Sequence, residues 1–203
     1  MIRRSSKKFI NNFLKDKQSW KILDIGCGFN AHQAATVICD IQDLSNYYKE
    51  KNFIKLTGNK LPFKDKEFDF VVCSHVIEHV KNVTLFIKEL ERISSKGYIE
   101  LPTILEDNLV FENRKGHLWH MEFDDDYNKI VISKKVQFLE PVLTVSSAKK
   151  FLKYFRQSLV IELFWENTID FTIKENEIKK FSKLSRLTLF RKFFSKLFRN
   201  LIK

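Results

Sequence analysis

The stretch that most constrains this chain is Lys21 to Asp40, KILDIGCGFNAHQAATVICD. An apolar pair, Ile22-Leu23, leads to one acid, Asp24, and then Gly26 and Gly28 bracket Cys27. A second apolar run, Val37-Ile38-Cys39, ends on another acid, Asp40. This order reads as strand, glycine turn, short crossover and strand, with a carboxylate near the end of each strand. Such an arrangement makes a crevice at the carboxyl edge of a parallel sheet, where open α/β sheets take nucleoside ligands.

The chain around it supports a parallel sheet. Phe68 to Cys73, apolar at every position but Asp69, is suited to a strand covered on both faces. Val83 to Ile93 carries apolar residues at 83, 86, 87, 90 and 93, a helical stripe. Gly97 to Leu101 reads as the next strand, stopped by Pro102. Ser45 to Lys51 is expected as a helix and Phe53 to Leu56 as a short strand. Residues 1–19 are expected as a basic leading helix with Phe9, Ile10, Phe13 and Leu14 on one side. Alternation of strands and helices predicts a doubly wound, Rossmann-like α/β sheet. Past Pro102 the pattern becomes hairpin-like. His117–Phe123 and Lys129–Ser133 are expected as one hairpin, and Leu159–Trp165 with Ile169–Ile173 as a second. Ser146 to Gln157 is expected as a helix between them.

Composition bounds the class. At 203 residues, 44% apolar and 30% charged, the chain suits one globular domain with appendages. It has no run long enough to span a membrane, and the basic start lacks the apolar core of a secretory signal. Cys27, Cys39 and Cys73 fall in or beside expected strands, as reduced thiols of a cytoplasmic protein would. The net charge of +11 is concentrated: residues 178–203 hold nine Lys or Arg and no acid, so the other 177 residues carry only +2. Within that tail Leu187, Phe190, Phe194, Leu197 and Leu201 follow helical spacing, widened by Phe193, Phe198 and Ile202. Residues 1–19, 20–175 and 176–203 are therefore expected as leading helix, main domain and basic amphipathic C-terminal helix.

LDIGCG, then Leu61-Pro62-Phe63, then FDFVVCSHVIEHV, then a helix and GYIELP, in this order, resemble the class I S-adenosylmethionine-dependent methyltransferases of the type 11-like group. The resemblance covers residues 20–102, about half of the chain. It implies that Gly26 and Gly28 let the backbone approach the cofactor and that Asp24 receives the ammonium of its methionine part. It implies further that Asp40 accepts the ribose hydroxyls, Thr57 and Gly58 lie at the adenine, and Ser74 lies beside the methionine part. The sequence departs from the family pattern in three places. Asn30 replaces a third glycine, the path from Asp24 to Asp40 is short, and Thr57 stands where an acid is common. Gly26 to Ala31 also fits G-x-G-x-x-A of nicotinamide dinucleotide sites, but that motif needs a longer first helix and an acid further on.

His75-Val76-Ile77-Glu78-His79 follows the central strand, where a methyltransferase builds its acceptor site. As H-x-x-E-H it would suit a zinc protease only inside a long helix with a further ligand downstream. It resembles instead the E-x-x-E-H metal motif of small-RNA 2′-O-methyltransferases and ubiquinone-pathway O-methyltransferases, with His75 in place of the first Glu. That resemblance implies a divalent ion at His75, Glu78 and His79 with a distal histidine, for which His117 and His120 are offered. Histidine-rich ligands favour zinc, iron or manganese over magnesium. The catalytic candidates are the same His75, Glu78 and His79, and a metal-free histidine would act as general base. Glu100, Glu106 and Glu112 are further acceptor-side carboxylates, more simply read as solvated.

The sequence as a whole resembles bacterial methyltransferases of surface-glycan assembly. The expected acceptor is a sugar, a lipid-linked intermediate or another small molecule, methylated on oxygen. The alternatives are a metal-dependent RNA 2′-O-methyltransferase and a non-catalytic, membrane-docked binder of S-adenosylmethionine. The tail suits an anionic membrane surface on the cytoplasmic side better than nucleic acid, because its apolar stripe exceeds what phosphate contacts need.

Overall fold

A computed structural model describes residues 1–58, 60–175 and 184–201. In chain order the first half runs β1 (Ile2–Arg4), α1 (Lys7–Lys15), β2 (Ile22–Ile25), β3 (Val37–Asp40), β4 (Asn52–Lys55) and β5 (Phe70–Ser74). It continues through α2 (Val83–Ile93), β6 (Lys96–Pro102), α3 (Ile104–Leu109), α4 (Asn113–Gly116), β7 (Trp119–Asp124) and β8 (Lys129–Lys134). The chain then forms α5 (Val145–Leu159), β9 (Val160–Glu166), β10 (Phe171–Lys174) and α6 (Arg186–Leu201).

Seven strands make the main sheet in the order β1-β9-β6-β5-β2-β3-β4. Strands β2 to β6 are parallel, and β9 runs antiparallel between β6 and β1. Side chains alternate along each strand, so β5 sends Phe70 and Val72 to one face and Val71 and Cys73 to the other. Helix α1 covers the first face with Ile10 and Leu14, against Ile22, Tyr98 and Phe164. Helix α2 covers the second with Val83, Phe86, Ile87, Leu90 and Ile93, against Leu23, Ile25 and Ile99. The sheet is thus doubly wound. A second sheet, β10-β8-β7, closes over the α2 face, where Met121, Ile130 and Ile132 join the same core.

Strands β3 and β5, helix α2 and the β7–β8 hairpin follow the sequence pattern closely. Three expectations do not hold. Residues 1–19 are not one helix: Ile2–Arg4 adds an edge strand to β9, and α1 begins only at Lys7, where the Ser6 hydroxyl accepts the Phe9 N–H. Ile2 is completely buried by that pairing, a stronger demand than the helical stripe. Residues 45–51 form turns, because the Asp43 carboxylate takes the Ser45 N–H and hydroxyl and so competes with helical bonding. The second hairpin is absent. VIELFWE lies inside the main sheet between β6 and β1, with every residue except Glu162 and Glu166 buried, whereas β10 pairs in parallel with β8. Asn167, at φ +63°, turns the chain out between them. Residues 176–183 and 202–203, with Lys179, Lys180, Lys183, Ile202 and Lys203 of the expected tail, lie outside the described residues.

Trp165 is fully buried and is therefore core, not pocket wall. Its ring lies over Gly97, where a Cβ would sit 2.5 Å from Trp165 Nε1 and 2.5 Å from the Val71 carbonyl oxygen. The neighbouring strand cannot retreat from that contact. Gly97→Ala is expected to lower unfolding free energy by about 1–3 kcal/mol, read from urea denaturation.

Candidate active site

The loop after β2 is built around two carboxylates. Gly26 has φ +71°, and a Cβ there would lie 2.3 Å from Val76 Cγ2, so the turn needs glycine. Asp24 is 4% exposed, and its Oδ2 accepts the His32 N–H at 2.7 Å. Burial pushes its carboxyl up to about 6, against the pull of that hydrogen bond. Asp40 accepts the Gly28 N–H at 2.9 Å on one oxygen and the Gln42 N–H at 2.9 Å on the other. Tyr48 pins the loop, donating to the Gly28 carbonyl and accepting the Ala31 N–H. No helix forms between β2 and β3, in keeping with the short path from Asp24 to Asp40.

A cleft of about 920 Å³ opens here, lined by Asp24, Gly26, Ser74, His75, Glu100 and Arg156 among others. Gly28 and Asp40 are bonded to each other but are not among the residues that line the cleft. Thr57 and Gly58 are exposed just past β4 and do not line the cleft. Helix α1 supplies Lys7 and Asn11 to the lining, which the amphipathic pattern of the leading helix did not reveal. Ile41 is 79% exposed directly after Asp40 and Phe29 is 60% exposed beside Gly28.

His75 closes the other side. It sits at φ +55° after β5, and its N–H donates to the Glu100 carbonyl at 2.9 Å. The left-handed turn places Nδ1 3.3 Å from Glu78 Oε1 and Nε2 3.4 Å from Glu100 Oε1. Burial lowers its pKa, but the Glu100 and Glu78 carboxylates outweigh this and lift it to about 10. Glu100 is buried too, yet His75, Lys7 and Arg156 hold its carboxyl far below the usual range. The two contacts of His75 with Glu78 and Glu100 favour the imidazolium form, in which no lone pair is left to take a proton or bind an ion.

Beyond His75, Glu78, His79 and His117 converge, with one ligand atom from each lying within 4.8 Å of the others. Glu78, on a short 3₁₀ turn (Ile77–His79), is completely buried and neither of its oxygens has a hydrogen bond. His79 Nδ1 lies 2.9 Å from the Gly116 carbonyl oxygen, so it carries the proton and leaves the Nε2 lone pair free. His117 Nδ1 is hydrogen-bonded to Asp107, which fixes the same tautomer. Asp107 also accepts from His120 Nδ1 at 3.1 Å and lies 3.6 Å from Lys135 Nζ. Burial would raise the Asp107 carboxyl, but the two histidines hold it below its ordinary value. His120 Nε2 lies 2.7 Å from the Val136 carbonyl oxygen and 2.9 Å from the Val136 nitrogen, so both nitrogens of this ring are already engaged. The structure thus selects His117 over His120 and gathers Glu78, His79 and His117 without His75. The Leu118 N–H donates to the Glu78 carbonyl at 2.8 Å and ties the two segments together.

One carboxylate and two imidazoles, each oriented from behind by a carboxylate or carbonyl, form a donor set suited to zinc, iron or manganese. Sequence reading missed Asp107, which lies between expected elements. Glu106 is hydrogen-bonded by Asn113, and Glu112 takes the Val145 N–H at the start of α5, so both are occupied. Glu100 alone of the three acceptor-side carboxylates lines the cleft.

A profile of a methyltransferase-domain family matches residues 23–99. An uncharacterized protein of Methanocaldococcus jannaschii is 32% identical over 169 residues, covering 74% of this chain and 72% of that protein. The ubiquinone biosynthesis O-methyltransferase of Rickettsia bellii is 33% identical over 112 residues. That match covers 47% of this chain and 46% of the relative, less than half of its length. The crystal structure of the Pyrococcus horikoshii protein PH0226 aligns over 78% of this chain and 88% of that one at 16% identity and a TM-score of 0.45.

Asp24 yields a pH prediction. A buried acid with a raised pKa binds its proton more tightly folded than unfolded. Stability therefore falls as pH rises from about 4 to about 6, by up to about 3 kcal/mol. Asp24→Asn is expected to remove that part of the pH dependence in urea unfolding and to be at least as stable as the parent at neutral pH.

Proposed function

The chain belongs to the class I S-adenosylmethionine-dependent methyltransferases, and on that footing we propose that it is a metal-assisted O-methyltransferase acting on a small hydroxyl compound, in first place a sugar or lipid-linked intermediate of surface-glycan assembly. The observation that carries the metal is Glu78. A fully buried carboxylate with no hydrogen bond, whose charged neighbour His75 stands 3.3 Å away, gains from a second cation. One ligand atom from each of Glu78, His79 and His117 lies within 4.8 Å of the others. The relatives named as ubiquinone biosynthesis O-methyltransferases support oxygen as the receiving atom.

Methyl transfer from the sulfonium of S-adenosylmethionine forms an O–CH₃ bond as the S–CH₃ bond breaks, leaves S-adenosylhomocysteine as a neutral thioether, and passes the hydroxyl proton to solvent. A divalent ion held by Glu78, His79 and His117 would supply Lewis acidity, drawing down the acceptor hydroxyl's pKa and orienting its oxygen. The chain's own residues do the remaining work. Asp24 receives the cofactor's ammonium, and Gly26 and Gly28 admit its backbone-close approach. Asp40 would take the ribose hydroxyls, and Ser74, which lines the cleft, would border the methionine part. His75 holds Glu78 and Glu100 at fixed separation between the cofactor crevice and the acceptor side. Alignment of this kind is the main contribution a protein makes to an in-line displacement.

The purified protein is expected to contain one zinc, iron or manganese ion per chain by elemental analysis. Chelation should abolish methyl transfer to sugar and lipid-linked acceptors while leaving S-adenosylmethionine binding by calorimetry intact. Glu78→Gln should lose the ion, and Asp107→Asn should weaken its affinity about 10–100-fold. Full transfer by metal-free protein would sink the proposal and return His79 to the role of base. Transfer to an RNA 2′-hydroxyl alone would keep the metal and replace the acceptor.

A further inference from the structure

Helix α6 is attached to the domain at its first turn. The Arg186 N–H and guanidinium both donate to Glu140, the guanidinium lies 5.5 Å from the Phe111 ring centre, and Leu184 pairs with Leu139. Beyond that turn its large apolar residues face outward. Leu187, Phe190, Phe193, Phe194, Leu197 and Phe198 are all exposed. At helical pitch these six fall within an arc of about 140°. Arg191, Lys192, Lys196 and Arg199 fill the adjoining sector, and the helix contains no acid.

We propose that α6 is an interfacial anchor that lies in an anionic lipid surface, with the phenylalanines in the acyl boundary and the four cations at headgroup phosphates. The charge pattern selects this occupant. A second copy of the helix would bring two sets of like charge together and would leave them unneutralised. Nucleic acid would satisfy the cations but strand six apolar side chains in water, whereas a lipid surface takes both faces at once. No helix among the described residues is long and apolar enough to cross a membrane, so the helix lies along the surface. The inference rests on the tail alone and is independent of the metal assignment.

Vesicle co-sedimentation of the full chain tests it, using phosphatidylcholine with and without phosphatidylglycerol. Binding should require the anionic lipid and weaken as salt is raised. Phe190→Ser with Phe194→Ser should reduce partitioning at least about a hundredfold. Lys192→Gln with Lys196→Gln should reduce it about thirtyfold. Both variants should keep the parent's thermal midpoint and S-adenosylmethionine affinity. The proposal is overturned if the parent stays in solution with anionic vesicles, or if the phenylalanine variant binds them equally. It is also overturned if sedimentation velocity shows that the stripe closes a dimer that ignores vesicles, or if the chain binds RNA and not lipid.

Discussion

The acceptor side of this protein is organised by one buried negative charge. The Glu78 carboxylate lies fully out of water and takes no hydrogen bond, and the cation nearest to it in the described structure is His75, at 3.3 Å. Removing a carboxylate from water costs several kcal/mol, which a single contact of this length only partly offsets. Gly116 and Asp107 each take the Nδ1 side of a histidine and so leave Nε2 of His79 and of His117 clear of those bonds. The proposed ion would be a second cation beside Glu78, among three ligand atoms that lie within 4.8 Å of one another. The small sheet of β7, β8 and β10 and the segment before it hold His117 there, and the Leu118–Glu78 backbone bond sets the distance.

His75 connects this centre to the cofactor crevice. Its left-handed backbone turn is what directs one ring nitrogen to Glu78 and the other to Glu100, which lines the cleft with Asp24 and Ser74. The two functional regions therefore share a strand end. A shift of β5 would disturb both at once, which is consistent with β5 occupying the middle of the seven-stranded sheet.

What the sequence revealed and concealed follows from the range of the interactions. The turn at Gly26 and the acids Asp24 and Asp40 are local features, and a strand such as FVVCS announces burial on both faces by itself. Strand β9 does not announce its partner. VIELFWE is as apolar as a central strand must be, but its neighbours are β6 and the three residues of β1, both distant in sequence. The spacing of His75, Glu78 and His79 suggests one ligand set, yet His75, at φ +55°, bridges Glu78 and Glu100 instead of joining His79 and His117, and no residue pattern encodes that angle. Asp107 was invisible for a related reason: its meaning depends on His117, His120 and Lys135 meeting it after the chain has folded.

What occupies the space between Glu78, His79 and His117 decides how this protein works. Anomalous diffraction from crystals grown with S-adenosylhomocysteine, collected on both sides of the zinc, iron and manganese edges, measures this directly. The prediction is a single anomalous peak within bonding distance of a Glu78 oxygen and of Nε2 of His79 and His117, with the nucleoside's ribose at Asp40. Well-ordered density showing water hydrogen-bonded to Glu78, and no anomalous peak in metal-supplemented crystals, would contradict it.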